Sequence, residues 1–269
     1  MSKLCIHTIT TKPWEIEHAI QQYAAAGVKG ISIWQQAVEG KNLAEVRKQI
    51  EGAGMQVVSY VRGGFFPSVE PEKRKAAIAH NQKMIEEAAA LGAPLLVMVC
   101  GAEPRQSLVQ SRLHIQEGLE ALIPHAQTHG VKLGIEPLHP MYADTRSAVN
   151  TLGQANDMAE ALASPWIGVV VDVYHLWWDP TLQDEILRCG KHNNLYAYHI
   201  CDWKIPTEDM LNDRGLMGEG CIPLAEIGRW VKQAGFEGYD EVEIFSNRWW
   251  AEDQDLFLKR ILEAYENIS

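Results

Sequence analysis

The sequence is short of several features that mark large classes of protein. Basic residues are outnumbered, 24 Lys and Arg against 35 Asp and Glu, leaving a formal net charge of −11. A duplex-binding surface needs a basic excess because phosphate contacts dominate its affinity. Nucleic acid is therefore not an expected partner, and an anionic membrane surface is disfavoured for the same reason. No apolar run approaches the ~20 residues of a membrane-spanning helix. The N-terminal stretch has no long apolar segment behind Lys3, so no secretory leader is expected. The cysteines Cys5, Cys100, Cys189, Cys201 and Cys221 include no CxxC pair and are odd in number. That pattern fits reduced thiols better than a disulfide framework and predicts a cytoplasmic location. Linkers, low-complexity tracts and shifts of composition are also missing, so residues 1–269 are read as one domain.

What the chain does have is alternation. Short segments rich in Val and Ile take turns with longer amphipathic segments rich in Ala, Glu, Lys and Gln. Continuous apolar runs suit strands buried on both faces of a parallel sheet, and the alternation argues for repeated βα units. Strands are predicted at Leu4–Ile9, Gly30–Trp34, Gln56–Val61, Pro94–Cys100, Val131–Glu136, Ile167–Asp172, Leu195–Ile200 and Glu241–Phe245. Helices are predicted at Pro13–Ala26, with Pro in a tolerated first-turn position, then Leu43–Ala53, Pro71–Leu91 and Ser107–His129. Ser147–Leu162 follows with Ser147 as cap, then Leu182–Arg188, Pro223–Ala234 and Glu252–Tyr265. Gly27, Gly54, Gly92, Gly130 and Gly235 stand where helices should stop. Eight such pairs make a single (β/α)8 TIM barrel the expected fold. The competing doubly wound sheet usually carries a Gly-rich fingerprint after its first strand when it binds dinucleotides, and Ile-His-Thr-Ile-Thr-Thr has none.

A TIM barrel builds its active site at the C-terminal ends of its strands. The last four predicted strands each end near a group able to bind a cation: Glu136, Asp172, His199 and Glu243. A buried charge is costly unless it is paired or metal-bound. Three carboxylates and an imidazole at one rim therefore call for a cation, and an oxygen-rich set with one His suits Mn²⁺, Mg²⁺ or Co²⁺.

The segments Gly-Ile-Glu136-Pro-Leu, Val-Asp172-Val-Tyr-His175, His199-Ile-Cys-Asp202 and Glu241-Val-Glu243-Ile-Phe, with Gly218-Glu-Gly220 before Ile-Pro-Leu, resemble the xylose isomerase-like TIM barrels. That superfamily includes sugar phosphate isomerases and epimerases, ketose epimerases and endonuclease IV. The resemblance covers the whole chain in strand–helix order and is sharpest in its second half. It implies that Glu136, Asp172, His199 and Glu243 hold one divalent ion, that Glu136 and Glu243 double as the acid/base pair, and that His175 orients substrate oxygens. The implied function is isomerisation or epimerisation of a small sugar-like hydroxy-ketone. A proton leaves the carbon α to the carbonyl, and the resulting enediolate is stabilised by the cation.

Further candidates stand in the loops. Arg214 is placed to reach substrate hydroxyls or a phosphate, although the related epimerases carry their arginine where this chain has Ile205. His139 is a third candidate substrate contact and stands where relatives often have Asn. Tyr142 replaces a substrate-gripping Glu of the ketose epimerases, which counts against a free ketose. His7 and Trp34 are expected either to line the pocket or to pack in the core. Trp177, Trp178, Trp203, Trp249 and Trp250 follow the last three strands and suit either sugar stacking or a hydrophobic lid. His80, His114, His125 and His129 are expected at the helical surface. The alternative to the isomerase is a metal-dependent lyase or dehydratase of a hydroxylated keto acid, which begins with the same proton abstraction. An endonuclease is disfavoured because the third and fourth strands end at Arg62-Gly and Cys100-Gly, without the extra histidines of a trinuclear zinc site. A binding protein without turnover and a homo-oligomer both remain open.

Overall fold

The computed structural model describes residues 3–268. Eight strands, all paired in parallel, close into a barrel. They are β1 (Leu4–His7), β2 (Gly30–Trp34), β3 (Gln56–Gly64), β4 (Leu95–Val99), β5 (Lys132–Glu136), β6 (Ile167–Asp172), β7 (Leu195–Ile200) and β10 (Asp240–Val242). A short antiparallel pair, β8 (Asp202–Trp203) with β9 (Arg214–Gly215), rises from the loop after β7. The connecting helices are α1 (Ile16–Ala25), α2 (Leu43–Gly52), α3 (Pro71–Leu91), α4 (Leu108–His129), α5 (Leu152–Leu162), α7 (Leu182–His192), α8 (Leu224–Gln233) and α10 (Gln254–Glu266). Of two short helices, α6 (Val173–Leu176) follows β6 directly and α9 (Asn247–Ala251) follows β10 after residues 243–246. The expected barrel is therefore the fold. None of the described helices is long and apolar enough to cross a membrane.

The strands read as apolar runs because both their faces are covered. One face meets the helices through a large core that includes Ile6, Ile31, Ile33, Leu96, Met98, Val169 and Val171. The other face fills the barrel, where Trp34, Val61, Leu95, Val97, Val170, Ala197 and Phe245 pack together. The period-two alternation within β4 and β6 divides them between these two cores.

Element edges moved where tertiary contacts outweighed local signals. Pro13 lies outside α1, whose first flanking residue is Glu15. Ser147 does not cap α5: it bridges to Gly101 and its hydroxyl turns back to Val149. Thr151 caps that helix by accepting from Gln154 N. The last predicted helix is α10, which starts two residues later than expected with Asp253 as its cap, and the short α9 before it was not expected. Gly92 and Gly130 end α3 and α4 in left-handed conformation, φ 75° and 69°, as the helix-stop reading required. His114, expected at the surface, is buried between Gln106 and Gln110.

Candidate active site

Four strands deliver one side chain each to the C-terminal rim. Glu136 ends β5, Asp172 ends β6, His199 is the last residue but one of β7 and Glu243 follows β10 directly. Parallel register levels them. Asp172 pairs with His199 across β6 and β7, and the Glu243 N–H donates to the Ile200 carbonyl at 3.1 Å. All four side chains are buried, and they bring their ligand atoms within 4.8 Å of one another.

The donor atoms have the spacing of a metal site. Glu136 Oε1 and His199 Nδ1 lie 3.0 Å apart, yet neither has a hydrogen-bond partner. Two ligands bound at right angles by bonds of about 2.1 Å stand about 3 Å apart, so this pair fits adjacent positions around one cation. The electrostatics point the same way. Burial pushes the Asp172 carboxyl up to about 7, against the pull of Arg214. Burial opposes a charged His199, but Glu136, Glu241 and Glu243 raise its pKa to about 10. Groups this crowded are short of positive charge.

Arg214 supplies some of it. The β8–β9 pair carries this arginine into the rim, where it is buried. Its Nη1 donates to Asp172 Oδ2 at 3.1 Å, to Glu243 Oε2 at 2.8 Å and to the Glu243 carbonyl at 3.2 Å. Burial works against the Glu243 carboxylate, yet Arg214 holds its pKa well below the usual range. Arg214 Nη2 lies 3.2 Å from His175 Nε2. A guanidinium only donates, so that ring nitrogen accepts, and the proton of the neutral imidazole lies on Nδ1. Burial and Arg214 both lower the His175 pKa well below its ordinary value, and Nδ1 is buried without a partner.

The remaining candidates divide. His139 caps a short turn through Met141 N and packs against the rings of Trp178 and Trp203. Tyr174 stacks on Trp203 at 4.8 Å, and Trp177 leans on the same ring. The hydroxyls of Tyr142 and Tyr174 both donate to the Met210 carbonyl, which ties down the loop bearing Arg214. Trp34 and Trp250 line a cavity in the loops at this end of the barrel. Trp249 is removed from it, stacked on Phe257.

Sequence reasoning missed Glu241. This carboxylate is buried inside the barrel beneath the quartet. Oε2 accepts from Ser32 Oγ at 2.5 Å and Ser59 Oγ at 3.1 Å, and faces His7 Nε2 at 3.1 Å. His7 Nδ1 lies 3.2 Å from both Trp34 Nε1 and Glu243 Oε1, and although burial opposes a charged ring, Glu243 and Glu241 raise its pKa. His7 thus links this polar core to the quartet above it. The available signal was spacing: Glu241 and Glu243 are two apart on a strand and so face the same way.

Residues 20–261 match the model of the xylose isomerase-like TIM barrel family. The chain belongs to that family. A Sinorhizobium meliloti 1021 protein of known structure is 42% identical, with TM-score 0.95 over 98% of both chains. Inosose isomerase from Halalkalibacterium halodurans is 28% identical across 67% of this chain, a match that spans 64% of that relative's length. The IolI protein, crystallised with a zinc atom, is 20% identical, with TM-score 0.86 over 100% of this chain and 98% of its own. This last is a likeness of fold.

Proposed function

We propose that the chain is a divalent-metal-dependent isomerase or epimerase of a small sugar or sugar-like hydroxy-ketone. The observation that carries this reading is the meeting of Glu136, Asp172, His199 and Glu243 at one barrel mouth, with ligand atoms within 4.8 Å. These four hold the ion. Mn²⁺, Mg²⁺ and Co²⁺ suit the oxygen-rich set, and the zinc atom of IolI widens the choice. When bound, the cation supplies a Lewis acid for the carbonyl and hydroxyl oxygens of the substrate. The inosose isomerase relative lends support to a sugar-like substrate.

The side chains do the proton work. Glu243 is held ionised by Arg214 and takes the proton α to the carbonyl. Glu136 stands on β5, separated from β10 by β6 and β7 in the barrel order, with Oε1 free of hydrogen bonds. It returns a proton from the other side. Return to the same carbon inverts it; if one carboxylate instead does both jobs on neighbouring carbons, ketose and aldose exchange. His175 offers its Nδ1–H to a substrate oxygen, while Arg214 keeps that tautomer in place. His139 and the rings of Trp178 and Trp203 border the mouth, where aromatic faces suit sugar C–H groups.

The test is solvent deuterium exchange. Metal-loaded protein, incubated in D2O with a panel of ketoses and inososes, should place deuterium on the carbon next to the carbonyl of at least one. Glu136→Gln and Glu243→Gln should each slow this by roughly 10²- to 10⁴-fold, the usual contribution of a general acid or base. Full activity in both variants removes the acid/base assignment. A product lighter by one water replaces the isomerase with a dehydratase of a hydroxylated keto acid.

A further inference from the structure

A cavity of about 790 Å³ lies among the loops at the C-terminal end of the barrel, with Trp34, Phe245 and Trp250 in its wall. Two arginines also line it: Arg62 in β3 and Arg146 in the loop between β5 and α5. Both are half-buried. Arg62 lies over the rings of Phe65 at 4.7 Å and Trp34 at 5.8 Å, and Arg146 over Tyr142 at 5.6 Å. Neither guanidinium makes a hydrogen bond or an ion pair among the described residues. The other half-buried or buried arginines are all engaged: Arg74 and Arg112 by backbone carbonyls, Arg188 and Arg214 by carboxylates.

The charge of these two arginines is not called for by the protein itself. A divalent ion with Arg214 answers the carboxylates of Glu136, Asp172 and Glu243, and His7 faces Glu241. Of the acids in the cavity wall, Glu15 pairs with Lys41, and Glu39 is exposed at the rim. Arg62 and Arg146 nevertheless feel one another and both feel Glu136 and Glu243, so the two guanidinium groups are within electrostatic reach of the quartet. Guanidinium groups pre-oriented on aromatic faces, with their N–H edges free, are suited to bidentate binding of an oxyanion. Lys12, held over Trp250 at 4.5 Å, adds a third cation on the same wall.

We propose that Arg62 and Arg146 form an anion subsite, so that the substrate is a hydroxy-ketone bearing a carboxylate or phosphate at the end away from the reacting carbons. This rests on the isomerase reading of the neighbouring quartet and narrows it to an acidic substrate. The oxyanion accepts paired N–H bonds from the two guanidinium groups and fixes the substrate's orientation over Glu136 and Glu243.

The experiment compares one ketose in three forms: D-fructose, D-fructose 6-phosphate and D-fructuronate. The readout is kcat/KM for deuterium exchange by metal-loaded wild type, Arg62→Gln, Arg146→Gln and the double variant. Wild type should prefer one anionic form over the neutral one by at least tenfold. The double variant should lose at least tenfold of that preference, mostly through KM, and a second double variant, Arg62→Lys with Arg146→Lys, should recover part of it. Which anion is preferred separates carboxylate from phosphate. Equal use of all three forms, or an unchanged preference in the double variant, overturns the subsite. If no form exchanges, the isomerase reading fails for this skeleton and the subsite is judged by calorimetry with inorganic phosphate and malonate. Binding to wild type that the double variant loses then supports it, and no binding to wild type refutes it.

Discussion

Glu241 ties the last strand to the first three, through His7 in β1, Ser32 in β2 and Ser59 in β3. Burial opposes its charge, but hydrogen bonding from His7, the nearby His199 and the Ser32 hydroxyl hold its pKa below the usual carboxylate range. Removing one member of a buried hydrogen-bonded pair leaves its partners stranded, at a cost of about 3–5 kcal/mol. Glu241→Ala should therefore lower unfolding stability by about that amount near neutral pH, measured by denaturant titration. The sign of the pH dependence follows from the lowered pKa. The unfolded glutamate titrates near about 4.3, so the contribution is complete above that value and fades as pH falls toward the folded value. The gap between wild type and variant should narrow in acid; a gap that widens there would contradict the ion-pair account. The quartet above it was legible because each member interrupts or ends an apolar run, where a charge needs a reason. Glu241 was not, because it was read as the opening residue of its strand, with nothing in the local sequence to reveal Ser32, Ser59 and His7 across the barrel.

At the level of elements, helix starts were the least legible feature. Ser147 and Thr151 both carry a hydroxyl ahead of the α5 pattern, and propensity does not choose between them. The choice is tertiary: the bridge between Gly101 and Ser147 holds the chain extended there, so that the helix begins four residues later. Thr151→Ala should cost about 1 kcal/mol, the usual worth of an N-cap, read as a fall in unfolding temperature with unchanged deuterium exchange. No fall would mean that α5 is held by packing alone. The β8–β9 pair was likewise hidden, since two-residue strands leave no periodicity. Yet that pair is what converts Arg214 from an ordinary loop cation into a buried partner of Asp172 and Glu243.

Across the whole molecule, stability and metal content should be linked. A ligand that binds only the folded chain stabilises it by about 4 kcal/mol at a thousand times its Kd. Treatment with a chelator should lower the unfolding temperature, and readdition of Mn²⁺ or Co²⁺ should restore it. Arg214→Gln should suffer a larger drop on chelation than wild type, because the variant lacks the guanidinium that donates to both Asp172 and Glu243. Equal drops in both would show that Arg214 does not share the work of charge compensation. The barrel itself was readable from alternation alone, since eight doubly covered strands must be apolar and the helices between them amphipathic.

The location of Glu241 also has a temporal side. Its carboxylate comes from the last strand to leave the ribosome, while His7, Ser32 and Ser59 come from the first three. A nascent chain that has not yet exposed residue 243 has an unsealed seam between β1 and β7, three polar side chains awaiting their acceptor, and three of the four rim side chains. Closure of the scaffold and assembly of the quartet at its rim are thus a single late event of synthesis, and a product truncated before that point inherits neither.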